Sequence, residues 1–249
     1  MSASFKIAVI GGFQQGKSTL FNALLGRDEA EMGRGRSTTH KNKECRLSSA
    51  VSVIDTPGFN ANEDDDGTAA SAIDNADVVV YVHESKPLDE TCLGILSKIQ
   101  NSGKRMFFLL NCCNSDKWSP AENDDIVLTI EAELDAKGIL SSVLPVSGRL
   151  VYPLNVLWAR FGLGMGVEPR DAKNILTVAK EDLGLSVGDI SDNVFRAEML
   201  QRSGFLPVRD FLKNFPLEIL KHVAANPQRE IERVVDRFAE ELKKRWVAA

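Results

Sequence analysis

The sequence predicts an α/β fold in which a mostly parallel sheet is covered by helices on both faces. Short apolar runs of strand length recur along the chain, at residues 5–10, 51–54, 77–82, 106–110 and 143–146. Segments with helical spacing or helix-capping residues lie between several of these runs. Strands that alternate with helices are typical of a parallel sheet, because each crossover helix packs on a face of that sheet.

The first third of the chain predicts a strand, a loop and a helix. The apolar run at 5–10 closes at Gly11 and Gly12, which indicates a buried strand. Residues 17–25 carry four apolar side chains at helical spacing and stop before Gly26, a usual residue just past a helix C-terminus. The polar segment that follows predicts a loop.

The middle of the chain predicts two strands, a turn and a further helix. The strands are expected at 44–47 and 51–54 and the turn at 55–58. The acidic run at 63–66 is expected to be a solvated loop, and residues 88–99 have helical spacing.

A strong helix start follows the strand at 106–110. Ser119, Pro120 and Glu122 suit the N-cap, first and third positions of a helix that should continue to residue 137 and end at Gly138. Beyond the strand at 143–146, the chain departs from strand–helix alternation.

Residues after this last strand predict helices with glycine-rich breaks. We expect a helical insertion at about 150–205 inside a main domain at 1–215. Residues 216–249 are expected to form a C-terminal helical segment with an apolar stripe.

Composition indicates an ordinary globular protein. The 249 residues are 43% hydrophobic and 26% charged, with a formal net charge of -5. This balance gives no electrostatic footprint for nucleic acid, so no nucleic-acid partner is expected. The four cysteines have no metal-ligand spacing, which favours reduced thiols. Neither a signal peptide nor an apolar run of membrane-spanning length is visible, so a cytoplasmic location is expected.

The segment GGFQQGKS, residues 11–18, matches the pattern GxxxxGK[ST] between a buried strand and an amphipathic helix. The glycines allow backbone N–H groups to wrap a phosphate, and the helix N-terminus adds its positive end. Lys17 is suited to neutralise the β- and γ-phosphates, and the Ser18 hydroxyl to ligate Mg²⁺. The motif therefore predicts a nucleoside triphosphate site with magnesium.

A second motif, DTPG at residues 55–58, ends the third strand. Asp55 is placed to hold Mg²⁺ through water, and Gly58 to offer its N–H to a γ-phosphate. Between the two motifs lies STTH at 37–40, where a threonine is expected to complete the magnesium shell and sense the γ-phosphate. We favour Thr39 over Thr38 for this role.

These motifs, with VVVYVHESKPLDE and FFLLN in the same order, resemble the Era-like and dynamin-like branch of the translation-factor-class GTPases. The segment SGFLPVRDFL at 203–212 resembles the end of the GTPase domain of bacterial dynamin-like proteins. The resemblance implies a Ras-like P-loop GTPase fold that hydrolyses GTP to GDP, stimulated by self-association or a protein partner. It also implies that the protein can sit peripherally on membranes. The nucleotide-binding residues that it implies around the phosphates are Gly11, Gln14, Gln15, Gly16, Lys17, Ser18, Thr19 and Gly58.

The guanine-reading motif departs from the family pattern [N/T]KxD. This chain has Asn111-Cys112-Cys113-Asn114 there, so a carboxamide stands where the family has an aspartate. An ionised aspartate accepts two charge-assisted hydrogen bonds from guanine, whereas a carboxamide has a single acceptor oxygen. Asp116 is an alternative if the loop bends. Guanine remains the favoured base.

Residues Ser147, Gly148 and Arg149 resemble the family's S-A-[KR] loop, whose backbone N–H groups bind the base oxygen. We call these three residues the base-side loop.

The catalytic machinery is also unusual. Phe59 occupies the position where Ras-type proteins carry a water-orienting glutamine, and a phenyl ring cannot orient water. Related GTPases use the fourth residue of the P-loop, here Gln14, and some hold a potassium ion with it. Lys17, Gln14 and Thr39 are therefore the candidate catalytic residues. Dynamins carry their catalytic glutamine one position earlier, where this chain has Phe13.

Two functions from different classes remain open at this point. One is a dynamin-like GTPase, and the other is a degenerate G domain that acts as a nucleotide-binding scaffold or switch. A ribosome-assembly GTPase of the Era-like kind is a third reading, for which no RNA-binding domain is visible in the sequence.

Overall fold

The computed structural model describes residues 5–31, 41–59, 63–84, 86–112, 120–139, 141, 143–162, 164–181, 184 and 193–222. All statements below concern these residues.

A six-stranded sheet forms the centre of the molecule, in the order β2-β3-β1-β4-β5-β6. Only the edge strand β2 is antiparallel to its neighbour, and the other four pairings are parallel. The strands are β1 (Phe5–Ile10), β2 (Lys43–Arg46), β3 (Val51–Asp55), β4 (Val78–Glu84), β5 (Arg105–Asn111) and β6 (Val143–Val146).

Helices cover both faces of this sheet. They are α1 (Lys17–Leu25), α2 (Glu63–Asn75), α3 (Glu90–Asn101), α4 (Pro120–Ala136), α5 (Gly148–Gly162), α6 (Pro169–Glu181), α7 (Asn193–Arg202) and α8 (Phe205–His222). Two apolar cores result, because successive strand residues point to opposite faces. Ile7 and Val9 of β1 pack in the core that α1 and α5–α8 share. Ala8 and Ile10 pack in the core covered by α2, α3 and α4.

The predicted α/β fold is confirmed, and several element boundaries match the sequence closely. The bounds of β1, α1 and β6 are those expected, and α1 ends at Gly26 with a left-handed φ of 68°. Gly138 follows α4 with a φ of 67°. Ser119, the expected N-cap of α4, lies outside the described residues.

The prediction for the acidic run at 63–66 was wrong, because α2 begins at Glu63. Acidic residues are favourable in the first turn of a helix, where they interact with its positive end. The helix is stabilised by packing: Ala69, Ala72 and Ile73 are buried against the sheet at helical spacing.

Helix α5 begins immediately after β6, at Gly148, and packs against α1. Helix α8 runs through position 215–216, where the sequence suggested a boundary. The division into domains stays a prediction, and residues 223–249 lie outside the described part. No helix within the described ranges is long and apolar enough to cross a membrane.

Asn22 of α1 holds residues 28–30, which follow this helix, by side-chain hydrogen bonds. Its Oδ1 accepts hydrogen bonds from the backbone N–H groups of Glu29 and Ala30 at 3.0 and 2.8 Å. Its Nδ2 donates to the Ala30 carbonyl oxygen at 2.9 Å and to Asp28 Oδ1 at 3.0 Å. Because Asn22 is fully buried, the start of the loop that leads towards Thr39 is held against α1.

Candidate functional site: a phosphate-binding loop at the carboxyl edge of the sheet

The predicted motif residues meet at one edge of the sheet. The parallel strands place their carboxyl ends side by side there, as the general rule for ligand sites in α/β folds expects. Gly11 follows β1, Asp55 ends β3, Asn111 ends β5 and Ser147 follows β6.

We call residues 11–18 the phosphate loop. Close packing requires glycine at two of its positions. A Cβ atom on Gly11 would overlap the carbonyl oxygen of Val82 in β4. Gly16, the residue before α1, has a φ of 90°, and a Cβ there would overlap the Asn111 side-chain amide. The loop therefore lies so close to β4 and β5 that side chains at these two positions are excluded.

Lys17 places an ammonium group inside this loop. Its side-chain Nζ donates to the Gly12 carbonyl oxygen at 2.7 Å, and only 7% of the residue is exposed. Burial lowers the pKa of Lys17 to about 8, and the opposing effect of the Asp55 carboxylate is smaller. A buried cation of this kind is stabilised by an anionic ligand.

Ser18 and Asp55 bring two hard oxygen ligands together. Ser18 Oγ donates to Asp55 Oδ2 at 3.1 Å, and Asp55 is fully buried. Mg²⁺ prefers oxygen ligands and is usually held by one or two protein groups together with phosphate and water, so this pair fits the ion. The described residues contain no group of three or more His, Cys, Asp or Glu that could hold a metal. Thr39 lies outside them.

The DTPG segment is fastened to the phosphate loop. Thr56 Oγ1 donates to the Val9 carbonyl oxygen at 2.8 Å, and the Phe59 amide donates to the Gly11 carbonyl oxygen at 3.2 Å. A Cβ on Gly58 would lie 2.8 Å from Phe13 Cα and 3.0 Å from Lys17 Nζ. The backbone at Gly58 therefore lies directly against the phosphate loop.

Phe59 points away from this site. Phe59 is 2% exposed and packs in the apolar core that α2, α3 and α4 cover. A side chain at this position reaches the apolar core rather than a water molecule near the phosphates.

Asn111 joins the phosphate loop to the base-side loop. Its Nδ2 donates to the Gln15 carbonyl oxygen at 3.0 Å, and its Oδ1 accepts from the Gly148 amide at 3.0 Å. Both bonds are buried, and Gln15 is also buried, with its Oε1 accepting from the Glu84 amide. The carboxamide thus sets the distance between the two loops.

The base-side loop begins α5. The Ser147 carbonyl oxygen accepts from the amides of Leu150 and Val151 at 3.2 and 3.1 Å, and Ser147 is buried. Arg149 lies in the first turn of this helix and is half-buried. Asn114 and Asp116 lie outside the described residues, so the base-reading role of each stays a prediction.

Gln14 lies in the middle of the phosphate motif, and Thr19 directly follows it. Gln14 is exposed and has a φ of 60°, the only left-handed value among the described non-glycine residues. The Thr19 carbonyl oxygen accepts from Asn155 Nδ2 of α5 at 2.8 Å. Sequence reasoning missed Asn155, although a polar residue on the apolar face of a helix was an available signal.

Comparison with known proteins agrees with this geometry. Residues 6–112 match the family model described as "50S ribosome-binding GTPase". The matched residues, which include the phosphate site, are therefore similar to a P-loop GTPase domain. Solved structures of Era share the fold: the complex with MgGDPNP and nucleotides 1506–1542 of 16S ribosomal RNA aligns with a TM-score of 0.50 and 20% identity, over 60% of this chain and 52% of that one. Aquifex aeolicus Era bound to GDP·AlF4⁻ gives a TM-score of 0.50 at 19% identity, over 76% and 59%.

Curated relatives match part of this chain and part of their own length. The tRNA modification GTPase MnmE of Campylobacter curvus is 34% identical over 43% of this chain and 26% of its own. GTPase Der of Hyphomonas neptunium is 37% identical over 37% and 21%, and GTPase Era of Haemophilus influenzae is 26% identical over 57% and 49%. The aligned part thus spans about a fifth to a half of these relatives.

Proposed function

We propose that this chain binds GTP with Mg²⁺ and hydrolyses it to GDP and phosphate. The proposal rests above all on one arrangement: the buried Lys17 ammonium, the Ser18 hydroxyl and the Asp55 carboxylate lie at a loop whose first and sixth positions admit only glycine. This set supplies one cation for phosphate oxygens and two oxygen ligands for the magnesium ion.

The residues divide the work of holding a triphosphate. The backbone of 11–18 and the N-terminus of α1 bind phosphate oxygens, and Lys17 neutralises their charge. Ser18 and Asp55 would hold Mg²⁺, which offsets the charge that develops on the phosphate oxygens during transfer. We propose that Gly58 donates its N–H to the γ-phosphate and that Thr39 contacts the same phosphate.

Replacing Lys17 tests the phosphate site. Lys17→Ala should abolish triphosphate binding while the fold survives, because a buried cation is removed without opening a hydrogen-bonded network. Lys6→Ala is a matched control, since the Lys6 ammonium pairs with Glu44 in an exposed contact away from the phosphate loop. Calorimetric titration with GTP and Mg²⁺ measures both variants. Binding by Lys17→Ala within a few-fold of wild type would refute the assignment of the P-loop.

Guanine is the base that we propose, with Asn114 at the specificity position. Wild type should then discriminate poorly between GTP and XTP, because a carboxamide NH₂ can donate to the xanthine 2-carbonyl oxygen. Asn114→Asp should tighten GTP binding by about 1.5–3 kcal/mol, the value of one charge-assisted hydrogen bond. Competition titrations with GTP, XTP and ATP provide the measurement. Guanine preference that is lost in Asp116→Ala and unmoved in Asn114→Asp would transfer the role to Asp116.

We propose that turnover by the isolated chain is slow and is stimulated by dynamin-like self-association or by a protein partner. The supporting observation is that Phe59 lies in the core, so the residue after Gly58 cannot orient water. The hydrolysis rate per molecule should rise with protein concentration. A fast rate that is independent of concentration would instead indicate a complete site within one chain, and Gln14→Ala, assayed with and without potassium, would then show whether Gln14 completes it.

A nucleotide-binding scaffold with little turnover is the second candidate, and the same burial of Phe59 favours it. Single-turnover hydrolysis at saturating protein separates the two functions. A rate that stays near the uncatalysed one at every protein concentration would favour the scaffold.

We propose a cytoplasmic location, with peripheral membrane association as a further possibility that the dynamin-like resemblance implies. No nucleic-acid partner is proposed, because the chain carries a net charge of -5. Binding of the 16S ribosomal RNA fragment seen with Era would overturn that view, and a gel-shift assay at moderate salt tests it.

A further inference from the structure

The turn between α7 and α8 lies directly behind the base-side loop. We call Ser203 and Gly204 the α7–α8 corner. The Ser147 amide donates to the Ser203 carbonyl oxygen at 2.8 Å, and both serines are buried. The Gly148 amide donates to Asn111 on the side of the phosphate loop. The base-side loop is therefore held from two directions, by β5 and by the corner.

The Ser203 hydroxyl fixes the shape of the corner. Its Oγ donates to the Leu200 carbonyl oxygen at 2.6 Å and accepts from the Phe205 amide at 3.2 Å. The Ser203 amide also donates to the Met199 carbonyl oxygen at 3.0 Å. These local bonds aim the Ser203 carbonyl oxygen at Ser147.

Helix α8 is in turn fastened to α1. Arg209 Nε donates to the Leu24 carbonyl oxygen at 3.0 Å, and its guanidinium group covers Gly26 so closely that a Cβ there would lie 2.6 Å from Nη2. Carbonyl groups at a helix C-terminus lack partners within the helix and attract positive charge. Because α1 begins with Lys17 and Ser18, α8 contacts the helix that carries the phosphate ligands.

An apolar seam reinforces this attachment. Phe205, Val208 and Leu212 of α8 are buried in the same core as Leu20 and Leu24 of α1. The corner and α8 therefore form one rigid link between the C-terminal end of α1 and the base-side loop.

We infer that the α7–α8 corner is a built part of the nucleotide site that sets the position of the base-side loop. The inference rests on the proposed binding of a guanine nucleotide. Ser203 and Arg209 act as positioning residues that hold the loop that receives the base, whereas the phosphate loop at 11–18 has its own contacts with β4 and Asn111. Both residues lie beyond residue 112, where the match to the GTPase family model ends.

Comparing GTP with a ligand that lacks a base tests this inference. Ser203→Ala removes the hydroxyl that shapes the corner, and Arg209→Ala removes the contact with α1. In either variant the Kd for GTP with Mg²⁺ should rise about three- to tenfold, the effect of losing one ordering hydrogen bond. The Kd for tripolyphosphate with Mg²⁺ should stay at the wild-type value. Titration calorimetry measures both ligands.

Two control variants separate positioning from general loosening. Asn214→Ala removes only an exposed bond to the Asp210 carbonyl oxygen and should change neither Kd. Ile99→Ala of α3 opens the apolar core on the opposite face of the sheet and should lower the melting temperature while the ratio of the two Kd values stays unchanged. Arg209→Lys should behave like Arg209→Ala, because an amine cannot reproduce the guanidinium contact, and it serves as the second variant if Ser203→Ala does not fold.

The outcomes are distinct. Wild type that fails to bind GTP would refute the proposed function and this inference with it. Wild type that binds GTP, with an unchanged ratio of Kd values in the Ser203 and Arg209 variants, would overturn the inference alone. A ratio that shifts equally in Ile99→Ala would also overturn it.

Discussion

Proton uptake on ligand binding follows from the burial of Lys17. In the free protein, burial holds its pKa at about 8, below the ordinary value of 10.5. Phosphate oxygens beside the ammonium favour its charged form and raise that pKa again. Binding must therefore take up protons as pH rises above about 8, and affinity must fall over the same range.

The size of the effect is given by the fraction of free protein in which Lys17 has lost its proton. With a pKa of about 8, each site should take up about half a proton at pH 8 and about 0.9 at pH 9. The Kd should then be about tenfold weaker at pH 9 than at pH 7. Tripolyphosphate with Mg²⁺ is the suitable ligand because it has no base that titrates.

Titration calorimetry in two buffers with different ionisation enthalpies counts the protons directly. Lys17→Arg is the control, because a guanidinium stays charged throughout this range and its residual binding should take up none. Wild type that takes up no protons at pH 8–9, or Lys17→Arg that takes up as many as wild type, would refute the reasoning.

Further expectations concern stability and the neighbouring residues. The unfolded chain holds the Lys17 proton more tightly than the folded free protein does. The free energy of unfolding should therefore rise by about 1 kcal/mol from pH 7 to pH 9. Urea titrations should show this rise in wild type and not in Lys17→Met. Asn111→Ala leaves the Gln15 carbonyl and the Gly148 amide unpaired, so it should lower the free energy of unfolding in urea by about 2–4 kcal/mol. It should also weaken GTP binding at least about tenfold. An unchanged Kd for GTP would contradict the role of Asn111 in joining the two loops. Phe59→Gln should cost about 2–4 kcal/mol and leave single-turnover hydrolysis unchanged, because the new carboxamide is buried in the apolar core; a faster rate would show that this side chain can reach the phosphates.

Local patterns were sufficient for the elements that are specified by neighbours in sequence. The apolar run of β1, the spacing of α1 and the glycine at its end all act within a few residues, and their bounds agree with the structure. The phosphate motif is equally local, so its position at the end of β1 could be predicted. Periodicity says nothing about which strands pair, so the order β2-β3-β1-β4-β5-β6 could not be predicted from it.

Charge was misleading at α2. Four acidic residues in succession suggested solvation, yet a helix N-terminus favours them, and the spacing of Ala69, Ala72 and Ile73 was the better indicator. Small side chains made that spacing easy to overlook.

Contacts between distant residues could not be predicted from the sequence. Arg209 and Leu24 are separated by 185 positions, and Asn111 and Gln15 by 96. The family pattern indicates Asn111, but it does not predict that Arg209 of α8 binds to α1. Those features depend on tertiary packing, which no local pattern encodes.

The four hydrogen bonds of Asn22 have a consequence for amide exchange with solvent. Residues 29 and 30 lie in a loop, and loop amides ordinarily exchange quickly. Here the amide hydrogens of Glu29 and Ala30 are held by a fully buried carboxamide of α1. These amides can exchange only when their hydrogen bonds to Asn22 break. Their protection from exchange should therefore match that of the α1 amides. In exchange experiments α1, Glu29 and Ala30 should therefore behave as one cooperative unit, although the hydrogen-bonded turns of α1 end at Gly26.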